Sequence, residues 1–395
     1  MFRKLLAIGV GLALATITLI PVQAQGAITV TTGVVARFPL EISYQVSAQS
    51  SAAITDIRLH YAVKQMGFVD VTAEAFPVFT PGLSVTAQWK WDMRRSGGLP
   101  PGTIIDYWWT VRDAAGNTVE TPRAQLAFDD ARFTWKTVTS GKISILWYEG
   151  TEAFAQDILD SAVQAEQRLA QETGAALKED VRIYLYSDAN DLRGSMIFPQ
   201  EWTGGVAFTR FGTIAIGISP FNVTWGKRAI AHELTHLINQ QMTLNPYNEL
   251  PVWLEEGLAM YNEGPMQSEF ESALKRGIDG NRLLSLQTLS SPFSSYADQS
   301  FLAYAESRSV VDYLIRTYGR DKMFQLLETF RQGSTYDGAL RKVYGLDTDS
   351  LNAAWQATLL GAKTSREWRA PVIAVAALGV PSLLGLTLVL RRRTV

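Results

Sequence analysis

One change of texture constrains the fold of this chain more than any other feature. From Ile28 to about Asp130 the sequence consists of short apolar or alternating runs, and from Trp225 to Leu360 it is almost wholly helical in pattern. LEISYQV, DIRLHYAV, SVTAQWKW and TIIDYWWTV are rich in β-branched and aromatic residues, as strands are. SAQSSA, FTPG, SGGLPPG and DAAGN separate them as turns, and Ala115-Gly116-Asn117 marks a hairpin tip. About seven such strands predict a small β-sandwich over residues 26–130. After Phe133, KISILWYEG and VRIYLYSD read as strands and GGVAFTRFGTIAIGIS as a hairpin. Glu152 to Glu172 reads as a helix, because Phe154, Ile158, Ala162, Ala165 and Leu169 recur at helical spacing. Strands in one block and helices in the next mean an α+β chain.

The two ends have their own character. MFRK, a run of apolar residues and then PVQAQ, with Val22 and Ala24 at the small positions, predict a signal peptide over residues 1–24. Ala370 to Leu390 is a second apolar run, followed by Arg391, Arg392 and Arg393. At about 1.5 Å per residue this run spans about 31 Å, the thickness of a bilayer core. It predicts a transmembrane helix over 370–390 and a cytoplasmic tail over 391–395. The expected placement is therefore the cell membrane, single-pass, with the body of the chain outside the cytoplasm. An uncleaved N-terminal anchor and a processed C-terminal sorting tail are the alternatives.

The chain has 395 residues and no cysteine, so disulfides and thiolate metal sites are excluded. Without residues 1–24 and 391–395 it keeps 31 basic against 38 acidic residues, a net −7. An acidic body argues against nucleic acid as a partner. His60, inside a strand and without a partner at metal-ligand spacing, reads as structural. Asn222-Val223-Thr224 is a glycosylation sequon, a pattern common by chance.

The other two of the three histidines lie in HELTH, within KRAIAHELTHLINQQM. Residues four apart share a helix face, so His232 and His236 can aim at one ion, with Glu233 beside them. Ala229, Ile230, Leu234, Leu237 and Ile238 supply the buried sides of that helix. Zinc needs a third protein ligand and an open position for water. No histidine lies downstream, so the third ligand is a carboxylate.

HELTH followed by PVWLEEGLAMY resembles the gluzincin metallopeptidases, the clan of aminopeptidase N-like enzymes and thermolysin. The resemblance covers about residues 133–360 and is similar above all to the compact bacterial peptidases of that clan. It implies a mostly helical peptidase domain over 133–362, one Zn²⁺ per chain and a peptide or protein substrate. It implies Glu256 as the third ligand, with Glu255 behind it or facing solvent. Glu233 is implied as general base and acid, and TGGVAF with TIAIGIS as the edge that pairs with substrate. An oxyanion donor is also implied; Tyr304, in AYAES, is the best match, with Tyr296 and Tyr261 as alternates. The sandwich, outside that resemblance, resembles immunoglobulin-like or fibronectin type III-like modules in pattern alone. Other readings are a surface binding protein carrying a retired enzyme, and a zinc hydrolase of non-peptide amides.

Overall fold

The structure is a computed structural model, and it describes residues 20–22, 28–199, 204–294 and 296–361. Eight strands come first: β1 (Ile20–Val22), β2 (Ile28–Arg37), β3 (Glu41–Val63), β4 (Ala73–Ala75), β5 (Gly82–Asp92), β6 (Thr103–Asp113), β7 (Thr118–Glu120) and β8 (Ala124–Phe128). Next come β9 (Lys136–Ser140), β10 (Ile143–Trp147), α1 (Glu152–Thr173), β11 (Val181–Tyr186), α2 (Ala189–Arg193), β12 (Gly205–Phe208) and β13 (Thr213–Gly217). The remainder is helical: α3 (Val223–Thr243), α4 (Val252–Asn262), α5 (Ser268–Asp279), α6 (Leu286–Leu289), α7 (Ala297–Tyr318), α8 (Arg320–Arg331) and α9 (Tyr336–Tyr344), then a helical stretch over 348–361. The chain is α+β, with an N-terminal sheet domain and a helical C-terminal part. It divides into two compact units, one running to Asp160 and resuming over Glu179–Gly226, the other formed by Ser161–Lys178 and the chain from Lys227 onward.

In the first unit, strands β1 to β8 form one antiparallel sheet rather than the separate short strands of the sequence reading. β3 alone runs for 23 residues. Its first half pairs with β2 and β5, and its second half with β6 and β4. The register shifts between Gln49 and Ile54, where a turn was expected at SAQSSA. The small polar residues there carry a bulge, which bends a strand without ending it. The two halves face one another across the core: Tyr44 meets Tyr107 at 5.1 Å between ring centres, and Tyr61 stacks on Trp89 at 5.3 Å. The hairpin at β6–β7 forms as the sequence indicates, with Gly116 at φ 87° and Asp113 Oδ1 accepting the N–H groups of Ala115 and Asn117. His60 stacks on Trp108 and bonds Thr110 at 2.8 Å, a packed position inside the sheet.

The second sheet has the order β12-β13-β11-β10-β9. β10 and β11 are parallel and joined through α1, while β12 is antiparallel to β13 and forms one edge. Ile158, Ala162, Ala165 and Leu169 of α1 are buried, as their spacing requires.

The membrane expectation is corrected. Among the described residues no helix is long and apolar enough to cross a bilayer. The two helices of 22 residues, α1 and α7, carry several charged residues each, which a lipid-embedded helix would not tolerate. Residues 1–24 and 370–390, on which the signal-peptide and span readings rest, lie outside the described residues apart from the backbone of β1. The single-pass placement therefore has no support and is withdrawn.

In the second unit, α7 buries a carboxyl. Glu306 is fully enclosed, and both its oxygens accept the N–H of Leu284 at 3.1 Å. Burial pushes this carboxyl up from 4.5 to about 8, with the Leu284 N–H pulling in the opposite direction. A carboxyl that keeps its proton on folding stabilises the protein fully below the unfolded value, and that contribution is lost as pH rises through the folded value. Wild-type stability should therefore fall between pH 4.5 and about 8 by several kcal/mol, at about 1.4 kcal/mol per pH unit. Glu306→Gln, which carries no proton to lose, should lack this part of the fall, so the stability difference between wild type and variant should shift by several kcal/mol across that window. A wild-type-to-variant difference that does not change with pH would show that Glu306 is ionised in the folded protein.

Candidate metal centre

α3 buries Ile230, Ala231, Leu234, Leu237 and Ile238, and so turns His232, Glu233 and His236 to its other side. The loop over 244–251 returns the chain to α4, and Asn245 holds that loop by donating to the carbonyls of Thr243, Asn248 and Phe330. His236 meets Glu255 while His232 meets Glu263, so the two helices run in opposite directions. Asn262 locks the far end of α4, donating to Thr235 Oγ1 on α3 and to the Ala165 carbonyl on α1. Gly257 explains its own identity: a Cβ there would stand 2.5 Å from the Ser307 carbonyl oxygen, so only glycine lets α4 approach α7 this closely.

His232, His236 and Glu256 each offer a ligand atom, and the three atoms lie within 4.8 Å of one another. Glu256 Oε2 is 3.4 Å from His232 Nε2 and 3.7 Å from His236 Nε2. Two donors bound tetrahedrally at about 2.0–2.1 Å from an ion lie about 3.4 Å apart, close to these separations. The same Oε2 is buried without a hydrogen-bond donor. A buried carboxylate oxygen with no donor is costly unless a cation is to meet it. On both counts the residues fit a zinc ion.

The remaining imidazole nitrogens are held by carboxylates. His236 Nδ1 is 2.8 Å from Glu255, which also accepts from Asn239. His232 Nδ1 is 2.8 Å from Glu263, whose other oxygen accepts from Arg228 at 3.1 Å and from Gln267. A carboxylate on the distal nitrogen fixes the ring and turns the free nitrogen toward the centre. Burial alone would push both imidazoles down. For His232, the facing carboxylate of Glu256 and the bond to Glu263 outweigh burial and hold it well above the ordinary value. For His236, the charge of Glu256 and the bond to Glu255 do so more modestly. Burial raises Glu256, but the two histidines outweigh it and lower it.

Residues 161–361 match the family model of the peptidase MA superfamily, just over half of the chain. The chain belongs to that superfamily. Among solved structures it is similar to an M1 zinc metallopeptidase from Deinococcus radiodurans, at 12% identity, covering 81% of this chain and 91% of that one, with a TM-score of 0.36. An aminopeptidase N family protein from Idiomarina loihiensis is 11% identical, over 80% of this chain and 70% of that one, with a TM-score of 0.35. Aminopeptidase A from Legionella pneumophila is 10% identical, over 83% and 47%, with a TM-score of 0.32. No curated protein matches the chain. Membership of the peptidase MA superfamily supports peptide-bond hydrolysis as the general activity of this peptidase.

Within the peptidase the carboxylates around the histidines divide clearly. Glu255 and Glu263 are bonded to the rings and Glu256 faces both Nε2 atoms, whereas Glu233 forms no hydrogen bond with any described residue. Tyr304 lies with its ring centre 6.4 Å from that of His232, and its hydroxyl bonds no described residue. Burial, and then the charges of Glu256, Glu233 and Glu263, push that hydroxyl up, so it stays a donor. The two alternates lie elsewhere: Tyr261 donates to Glu172 at 3.4 Å, and Tyr296 is exposed at the start of α7. Glu263 was missed in the sequence. Its signal was its place seven residues after Glu256, two turns along the same face.

Proposed function

We propose that this chain is a zinc-dependent metallopeptidase with His232, His236 and Glu256 as ligands. The observation that carries the reading is the convergence of three donor atoms within 4.8 Å, the histidines steadied from behind by Glu255 and Glu263. Zinc held there supplies a Lewis acid that makes water nucleophilic near neutral pH and polarises the substrate carbonyl. Glu233, the uncommitted carboxylate, takes a proton from the attacking water and delivers it to the leaving amine. Tyr304 donates its hydroxyl to the oxygen on which negative charge develops. The sheet region over 26–130 acts as an immunoglobulin- or fibronectin type III-like accessory module, and residues 133–362 as the peptidase domain.

The purified chain is expected to carry about one zinc ion, as three donors around one point imply. It should cleave casein, lose that activity to a chelator and regain it with zinc. Zinc without cleavage of casein or of a peptide library would turn the reading toward a hydrolase of non-peptide amides. A chain that takes up no zinc would be a retired enzyme.

A further inference from the structure

A second site lies between α5 and α7, on a different face of α7 from Tyr304. There a cleft of about 600 Å³ is lined by Arg276, Arg282, Asp298, Ala273, Leu284 and Leu302, among others. That volume is in the range of small-molecule pockets, about 300–1,000 Å³. The backbone builds the arginine pair. α5 ends at Asp279, Gly280 N–H bonds the Arg276 carbonyl, and Asn281 takes φ 51°. The chain then reverses so that Arg282 N–H bonds the Gly277 carbonyl at 2.9 Å, which lays Arg282 back over the last turn beside Arg276. Two residues on, the Leu284 N–H is fixed by both oxygens of Glu306. Gly277 keeps the floor tight, since a Cβ there would meet Leu302 at 2.8 Å.

Both guanidinium groups are exposed, and neither has an ion-pair partner among the described residues. Asp298 is likewise unpaired, so the lining carries two positive charges and one negative. Glu306, which accepts the Leu284 N–H behind the wall, keeps its proton near neutrality, because burial raises it to about 8. Two planar forks above an apolar floor match a carboxylate joined to an apolar body. We infer that this cleft binds a small apolar carboxylate, such as a peptide's C-terminal residue or a free N-blocked amino acid.

The test is calorimetric titration of the full-length chain with N-acetyl-L-leucine, N-acetyl-L-leucinamide and inorganic phosphate. The carboxylate is expected to bind, and the amide to bind at least tenfold more weakly. Arg276→Gln and Arg282→Gln should each weaken the carboxylate by on the order of tenfold, the loss of a charged hydrogen bond. Arg282→Lys should recover only part, because an ammonium lacks the fork. His236→Ala should leave binding unchanged, which separates this cleft from the metal centre whether or not the peptidase reading stands. A C-terminal leucyl dipeptide against the N-blocked amino acid distinguishes the two sources of ligand. The inference is overturned if the carboxylate does not bind, if the amide or phosphate binds as well, if both glutamine variants bind normally while unfolding at the wild-type temperature, or if His236→Ala abolishes the binding.

Discussion

Replacing Glu233 with glutamine should leave fold and zinc in place and remove nearly all turnover. Among the carboxylates that surround the two histidines, Glu233 is the one without a hydrogen bond to any described residue. Glu255 and Glu263 are tied to imidazole nitrogens and Glu256 faces both free nitrogens, so none of those three is available to carry protons. The amide is close to isosteric, and α3 keeps its buried side through Leu234, Leu237 and Ile238, so packing holds. What is lost is the capacity to accept a proton. A positioned acid–base group contributes about 10²–10⁴-fold, and a residue serving both the attack and the departure of the amine belongs at the upper end. The measurement is kcat on a peptide substrate beside metal content. Loss of zinc in this variant would make Glu233 a ligand and displace Glu256 from that role. Wild-type turnover would end the proposed mechanism.

The helices were more legible than the first sheet, and the reason is physical. α1 and α3 announce themselves through buried residues at a period near 3.6, a signal contained within the segment itself. β3 does not: SAQSSA has turn composition, and only pairing with β2, β5 and β6 on either side keeps it extended. That pairing joins residues far apart in sequence, so no local window contains it. The same distinction runs through the metal centre. The histidine pair is a local spacing on one helix. Glu255 was placed behind the ligand or toward solvent by resemblance alone, and Glu263 drew no notice: the short loop TLNPYNELP implies that α4 returns antiparallel to α3, but not which later carboxylate of α4 comes opposite the His232 ring. The membrane reading failed differently: it rested on apolar length in segments outside the described residues, and no described helix takes its place.

His236→Ala should abolish zinc binding and activity together, and the reason lies in how few donors the centre has. His232, His236 and Glu256 are the described group of three that could hold an ion, and removing one imidazole leaves two donors. The loss is not local to one bond. Glu255 and Asn239 form a pair that exists to steady that ring, and in the variant Glu255 has only the 3.2 Å contact from Asn239. Glu263→Gln provides the contrast. It keeps all three ligands but weakens the hold on His232 Nδ1, and with it the Arg228 and Gln267 bonds to the same carboxylate, so zinc affinity should fall by about 10–100-fold without vanishing. Thermal unfolding separates the two results without any assay of turnover. A ligand that binds only the folded state at about a hundred times its Kd adds about 2.7 kcal/mol, so added zinc should raise the wild-type midpoint. The same addition should raise the Glu263→Gln midpoint at higher zinc, and leave His236→Ala unmoved at every concentration. A zinc-dependent midpoint in His236→Ala would place the ion on other residues and dissolve the ligand set.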